Sequence, residues 1–146
     1  MANLRIDSGA VKLTINDDPN RVIEFNPADA AFAERFMQLY YDLDAKQKEI
    51  NEKADLFQKS DEPDENGIPK NALEQARYMR EVGDYLREQV DLIFGEGTSQ
   101  TVFGNSFTFD MFEQFLNGVT EHLTDGRKKI VDAELARRKG RTAKSK

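Results

Sequence analysis

The chain has no cysteine, no tryptophan and a single histidine in 146 residues. The lack of cysteine excludes disulfides and thiolate metal sites, and it fits a reducing cytosol. His122 has no second histidine to share a metal with, and its place on a helix flank indicates a surface side chain. No run approaches the about 18 apolar residues of a membrane span, and the N-terminus lacks the apolar region of a signal peptide. We therefore expect a protein without a membrane segment, metal or cofactor.

Charged residues are abundant but unevenly placed. They make up 33% of the chain, which favours a helical, elongated protein with much solvated surface. Residues 1–126 hold 12 basic and 25 acidic side chains, whereas residues 127–146 hold 9 basic and 2 acidic ones. A basic end can bind nucleic acid or an acidic partner, but no aromatic residue interleaves it to stack on bases. Nucleic acid is therefore the less favoured partner, and residues 140–146 are predicted to be a disordered basic tail.

The first 25 residues predict a β-hairpin. Its first strand alternates apolar and polar residues, with Val11, Leu13 and Ile15 on one face. Residues 17–20 form a turn cluster around a proline, and residues 21–25 return as the second strand. The pattern at residues 4–6 is compatible with a third strand. Because a lone hairpin is marginal in water, we expect this sheet to pack on helices or pair with another chain.

Two long helical patterns follow the hairpin. The first is predicted over residues 27–60, with Asn26 as its cap and Pro27 in its first position. Its apolar stripe is wide in the first half of the helix and narrow in the second half, because Lys46 and Lys53 occupy one of its two rows. At a length of roughly 50 Å, this helix implies an antiparallel partner. The second helix, residues 70–94, is this partner. Its small and apolar residues are expected to face the first helix, and two tyrosines are expected to lie to one side of them. Those residues are Ala72, Ala76, Met79, Gly83, Leu86, Val90 and Ile93, with Tyr78 and Tyr85 beside them.

The acidic turn between these helices, residues 61–69, has a calcium-loop spacing around Gly67. However, Leu73 stands where an EF-hand requires a bidentate glutamate, and Pro69 removes a backbone donor. The turn is therefore interpreted as a polar connection without metal.

One further helix, or two helices divided near Gly126, is predicted over residues 106–139, with Ser106 or Thr108 as the first cap. Its apolar stripe recurs at helical spacing over Phe109, Phe112, Leu116, Val119 and Leu123. The fold class is thus mainly α with a small N-terminal β-hairpin. A long antiparallel helical hairpin and a C-terminal helix complete a single elongated domain over residues 1–139.

One glycine-rich segment, residues 93–104, separates the second and third helices. It has the glycines and hydroxyl groups of a phosphate-binding loop. It lacks the lysine of the nucleotide-binding version, and Glu96 would repel a phosphate. Gly95 follows a helical pattern, where a left-handed cap requires glycine, and residues 100–103 favour extended structure. The segment is therefore interpreted as a helix cap and hinge.

The chain offers no catalytic constellation. No Gly-x-Ser-x-Gly elbow is present, and its carboxylates lie on solvated helix faces or in the acidic turn. Six of its ten phenylalanines instead cluster around the glycine-rich segment, where they form either a core or an exposed patch that binds a partner. These six candidates are Phe94, Phe103, Phe107, Phe109, Phe112 and Phe115.

Several segments occur in a distinctive order. Residues 22–27 lead into residues 32–36, a helical hairpin follows, and residues 91–104 then precede residues 112–116. In this order the chain resembles a family of small siphophage proteins from viruses of Gram-positive bacteria. These proteins are encoded between the major tail protein and the tape measure protein, and they are regarded as tail assembly chaperones. The likeness covers residues 3–125.

The resemblance implies a non-enzymatic protein of the host cytoplasm. It would hold the aggregation-prone tape measure protein until the tail tube polymerises around it, self-associate along that client, and be absent from the mature virion. One alternative is a structural virion component, such as a neck or tail-completion protein, whose strand pair adds to a neighbour's sheet. A weaker alternative is a nucleic-acid-binding protein that uses its basic tail.

Overall fold

The computed structural model describes residues 1–60 and 62–123, and within them the predicted fold class is confirmed. A two-stranded hairpin, β1 (Val11–Ile15) and β2 (Asp18–Phe25), precedes the helices. The helices are α1 (Ala30–Lys59), α2 (Ala72–Phe94), α3 (Thr98–Phe103) and α4, which is helical over residues 109–123. The basic tail and the predicted helix end at residue 139 lie outside the described residues.

The chain divides into two compact units. Unit 1 combines Met1–Glu34 with the chain from Gln100 onward, and unit 2 is Arg35–Ser99. Unit 1 therefore contains the β-hairpin and α4, whereas unit 2 contains most of α1 and all of α2.

The β-hairpin turns two residues earlier than the sequence predicts. Asn16 and Asp17 form the turn, both with positive φ, as a two-residue hairpin turn requires. The predicted turn residue Pro19 instead lies in β2, where the strand register shifts between Thr14 and Ile15. Proline fits such an irregularity because it has no N–H group to donate to the partner strand. The open possibility of a third strand is not realised, since residues 1–10 contain no strand.

Helix α1 begins three residues later than predicted, and its cap is Asp29 instead of Asn26. The Asp29 carboxylate accepts the Ala31 N–H at 2.9 Å, and the Asp29 carbonyl accepts the Ala33 N–H. Asn26 caps the preceding turn, where its side chain accepts the Ala28 N–H. The helix ends at Lys59, one residue before the predicted end at residue 60.

Helix α3 corrects the extended structure predicted for residues 100–103. The Asp91 carboxylate accepts the Ser99 N–H at 2.8 Å, so an acidic side chain satisfies one of the helix's free N-terminal donors. Gly104 closes the helix with a φ of +69°. A helix also allows the consecutive residues Val102 and Phe103 to be buried together, whereas a strand would point them to opposite faces.

The core of unit 1 forms where the β-hairpin, the start of α1, α3 and α4 supply apolar side chains. The Phe25 ring stacks on Phe32 at 5.6 Å and meets the edge of His122 at 6.3 Å. His122 is thus half-buried instead of a plain surface residue. Thr108 is the cap of α4, since its hydroxyl accepts the Met111 N–H. The predicted α4 stripe is buried at Phe112, Leu116, Val119 and Leu123, together with Phe115.

In unit 2, α1 and α2 form the predicted antiparallel helical hairpin. The Phe36 ring contacts Phe94 near one end, and the Phe57 ring contacts Tyr78 near the other. The contacts of α2 with α1 include residues outside the predicted row, because Tyr78, Tyr85 and the preceding Asn71 all contact α1. The small-residue row expected there is only partly buried: Gly83, Leu86 and Val90 are buried, while Ala76 and Met79 are exposed.

Candidate partner-binding surfaces

The aromatic residues after the glycine-rich segment form one cluster in unit 1. The Phe103 ring contacts Phe107 at 5.0 Å and Phe115 at 5.7 Å, while Phe107 also contacts Phe109 and Phe112 at 6.2 Å. Phe103, Phe112 and Phe115 are buried, and Phe107 and Phe109 are half-buried. Rings at these separations stabilise one another beyond the area they bury. The cluster is therefore largely core, with Phe107 and Phe109 at its edge.

The sixth candidate, Phe94, belongs to the other unit. It is the last residue of α2, and its half-buried ring meets Phe36 edge-on at 6.1 Å. Phe36 is completely buried, so this pair contributes to the core of unit 2. None of the six phenylalanines is among the exposed large apolar residues of the described chain.

Arg21 has a structural role that sequence reasoning did not find. Its Nε and Nη2 atoms donate to the carbonyl oxygens of Thr101 and Val102 at 2.9 and 2.7 Å. These carbonyls lie in the last turn of α3, where a cation is favoured by the helix dipole. Because the acceptors lie about eighty residues away, only the fold reveals the contact. The guanidinium therefore joins the β-hairpin to α3.

The glycine-rich segment contains the end of α2 and the short helix α3, and it does not form a phosphate-binding loop. Gly95 follows α2 with a φ of +116° and a ψ of 150°, a conformation that suits glycine but differs from the predicted left-handed cap. The Ser99 N–H, which would point at a phosphate, already donates to Asp91. This geometry supports the interpretation of the segment as a helix-ending turn.

The acidic turn is organised by Asp64. Its carboxylate accepts the N–H groups of Asn66 and Ile68 at 2.8 and 2.9 Å, so it serves the backbone of the turn. An ion pair between Lys70 and Glu62, both well exposed, spans the base of the turn. Across residues 1–60 and 62–123, no group of three or more acidic or histidine side chains is arranged to hold a metal ion. Likewise, no helix described there is apolar enough over its length to traverse a lipid bilayer.

The interface between α1 and α2 contains charged side chains where a coiled coil would carry apolar ones. The Lys46 ammonium lies 4.9 Å from the centre of the Tyr85 ring and forms an ion pair with Glu49 at 2.9 Å. The Lys53 ammonium lies 5.9 Å from the Tyr78 ring. Both lysines thus extend along aromatic faces, an attraction that is modest at exposed sites. The sequence signal for this feature was the replacement of apolar residues by Lys46 and Lys53.

Tyr78 brings a buried polar group into this interface. Its hydroxyl oxygen is buried and has no hydrogen-bond partner among the described residues. Burial raises the pKa of Tyr78, and Glu49 adds to the rise while Lys46 opposes it. The hydrogen bond to Glu49 raises the pKa of Lys46. Tyr78 is therefore a neutral hydroxyl and Lys46 a cation at physiological pH.

Among the residues that the structure describes, most of the exposed large apolar side chains lie on unit 2. Buried apolar side chains are expected in any domain, whereas exposed ones can mark a site that binds a partner. The exposed side chains of unit 2 lie on the two long helices and the turn that joins them. They are Met37, Tyr41, Leu56, Ile68, Leu73, Met79 and Leu92.

A protein-family model matches residues 19–145. The chain belongs to DUF6673, a family of unknown function. The match runs from β2 through α4 and includes nearly all of the basic C-terminal segment, so the family covers residues of both units. No curated protein and no solved structure shows a significant match to the chain.

Proposed function

We propose that this protein is a tail assembly chaperone that binds the tape measure protein in the host cytoplasm and prevents its aggregation. The observation that carries the proposal is the number of large apolar side chains exposed on the helical hairpin, including Tyr41, Leu56, Leu73 and Leu92. A client with a long amphipathic helix can bury its apolar face against such side chains. The resemblance to siphophage chaperones supplies the identity of that client.

The charge of unit 2 supports a holding role. Residues 35–99 hold 9 basic and 15 acidic side chains, a net charge of −6. Side chains of like charge repel between copies, which opposes precipitation of the chaperone with its client. The proposed role requires binding alone, without catalysis or a cofactor.

A co-expression experiment tests this function. The full chain is produced together with the tape measure protein encoded in the same gene cluster, and the soluble fraction of the client is measured. We expect the chain to raise that fraction. Glutamate at Tyr41, Leu56, Leu73 and Leu92 should remove most of the effect, because each exposed apolar contact contributes about 1.5–3 kcal/mol when buried.

A charge-matched control carries glutamate at exposed polar positions of α1. Suitable positions are Gln38, Gln47, Asn51 and Gln58. This control should keep the client soluble, and circular dichroism should show both variants to be folded. A client that is equally insoluble with and without the wild-type chain would contradict the proposed function.

The β-hairpin favours a structural virion component as the second candidate. β1 and β2 form a two-stranded sheet, so within the described residues each strand has one edge without a strand partner. A free edge can accept a strand from a neighbouring protein. A neck or tail-completion protein would use this edge and remain in the finished particle.

A further inference from the structure

The dipeptide Asn-Gly occurs twice in the chain, in two different backbone settings. Asn66-Gly67 lies in the acidic turn between α1 and α2, whereas Asn117-Gly118 lies inside α4. All four residues are exposed to solvent, so exposure does not distinguish the two pairs. Glycine has no Cβ atom to shield its backbone nitrogen. An asparagine side chain that precedes a glycine is therefore well placed to react with that nitrogen.

The reaction open to such a pair is the loss of the side-chain amide. The Gly67 nitrogen gives its proton to a base in the solvent and attacks Cγ of Asn66. The new bond between this nitrogen and Cγ closes a five-membered succinimide ring, the bond between Cγ and Nδ2 breaks, and Nδ2 leaves as ammonia after taking up a proton. Water then opens the ring at either carbonyl group, which gives aspartate or isoaspartate. One water molecule is consumed and one ammonia is released, without an oxidant or a metal.

The surroundings of Gly67 leave room for this ring. A Cβ atom added at Gly67 would meet no other atom within 4 Å. No hydrogen bond joins the Asn66 side-chain amide to another residue of the described chain. The amide can therefore rotate toward the Gly67 nitrogen without breaking a contact of its own.

The backbone of the turn opposes the reaction through Asp64. The Gly67 N–H donates to the Asp64 carbonyl at 3.0 Å, and the Asp64 carboxylate accepts the N–H groups of Asn66 and Ile68. The Gly67 nitrogen must leave its hydrogen bond before it can attack, so the turn must open. An exposed turn opens at a much smaller free-energy cost than a segment that carries the core.

The pair in α4 is held more firmly. Helical geometry keeps backbone N–H groups in hydrogen bonds with carbonyl groups one turn earlier. Leu116 and Val119, on either side of Asn117-Gly118, are 5% and 1% exposed. Opening α4 at this point would expose these core side chains to water, which costs free energy. The same dipeptide should therefore react slowly there.

We propose that Asn66 is a site of spontaneous deamidation, and that Asp64 sets its rate by holding the turn closed. The product carries one more negative charge in a turn that already contains Glu62, Asp64 and Glu65. Like charges at this spacing repel, so the modified turn is expected to be looser than the original one. The inference depends on the geometry of this turn and is independent of the proposed function.

Peptide mapping of the full chain tests the site. The folded protein is incubated in mildly alkaline buffer, and samples taken over time are digested and analysed by tandem mass spectrometry. Lys59 and Lys70 allow trypsin to release Asn66 in a short peptide. We expect conversion of Asn66 to a mixture of aspartate and isoaspartate, at a rate at least about tenfold above that of Asn117, because the turn opens more readily than the helix.

A pair of variants tests the role of Asp64. Asp64→Ala should raise the rate at Asn66 by at least about threefold, since the loss of even one ordinary hydrogen bond changes an equilibrium by about that factor. The matched control, Glu65→Ala, removes the same charge from an exposed residue of the same turn. Its rate should stay close to that of the wild type. Circular dichroism should show both variants to be folded.

Two outcomes would overturn the inference. Conversion at Asn66 that is no faster than at Asn117 would show that the turn offers no reactive geometry, and this comparison needs only the wild-type chain. Equal rates in Asp64→Ala and Glu65→Ala would show that the Asp64 hydrogen bonds do not control the reaction. Asn66→Gln should abolish the modified peptide, because glutamine would have to close a larger ring, and its persistence would place the modification at another residue.

Discussion

Gly104 and Gly118 show how backbone geometry alone sets the role of a residue. A Cβ atom added at either position would meet no atom within 4 Å, so side-chain space does not distinguish them. Gly104 ends α3 with a φ of +69°. This left-handed conformation is unfavourable for residues that have a Cβ atom. Gly118 lies inside α4, where glycine is a poor helix former.

Alanine substitution at these two positions should therefore change stability in opposite directions. Gly118→Ala is expected to raise the free energy of unfolding by about 0.5–1 kcal/mol, because alanine restricts the unfolded chain. Gly104→Ala is expected to lower it by about 1–2 kcal/mol through the strained φ. Urea denaturation followed by circular dichroism measures both changes. A shift of the same sign in the two variants would refute this account.

Elements in unit 1 are joined by contacts distant in sequence, of which the Arg21 guanidinium is the clearest. It occupies two carbonyl groups of α3 from a position where the register of β2 is irregular. A bulged strand can direct a side chain away from the regular face of the sheet. The β-hairpin thus depends on α3 for more than apolar packing.

Replacement of Arg21 by glutamine should destabilise unit 1. We expect a loss of about 1.5–3 kcal/mol, because hydrogen bonds from a charged donor are lost and two carbonyl groups remain partly buried. Thermal unfolding monitored by near-ultraviolet circular dichroism reports the change. Arg5→Gln, at an exposed position of the same unit, provides the control and should unfold like the wild type. Equal midpoints for wild type and Arg21→Gln would show that the contact contributes nothing.

Element boundaries were more predictable than the faces that elements bury. Apolar periodicity located α1 and α2 to within three residues at each end, because helix length and caps depend on neighbouring residues. The same periodicity located the buried face of α2 only in part, since small and aromatic rows lie side by side on one helix: Gly83, Leu86 and Val90 are buried, but Tyr78 and Tyr85 also contact α1. The short helix α3 was missed because its residues favour strands, and the Asp91 cap that helps to start it lies in another helix.

At the scale of the whole molecule, the two candidate functions differ in whether the protein is part of the finished particle. A chaperone leaves when the tail tube closes, whereas a neck or tail-completion protein remains. We expect mass spectrometry of purified particles to detect the major tail protein and not this chain. Infected-cell lysate should contain it, which serves as the control for detection. Its presence in particles at a stoichiometry comparable to other tail proteins would favour the structural alternative.

The sequence by itself determined the mainly helical class, the N-terminal hairpin, the antiparallel pair of helices and the ends of most elements, because all of these follow from local periodicity and turn chemistry. Only the tertiary structure decided that Phe103, Phe112 and Phe115 are core residues, since an aromatic stripe looks the same whether a protein element or a partner covers it. It also decided that, over residues 1–60 and 62–123, most of the exposed large apolar side chains lie on unit 2, whose helix interface contains Lys46 and Lys53. Burial depends on which surfaces meet, and that is a property of the folded chain.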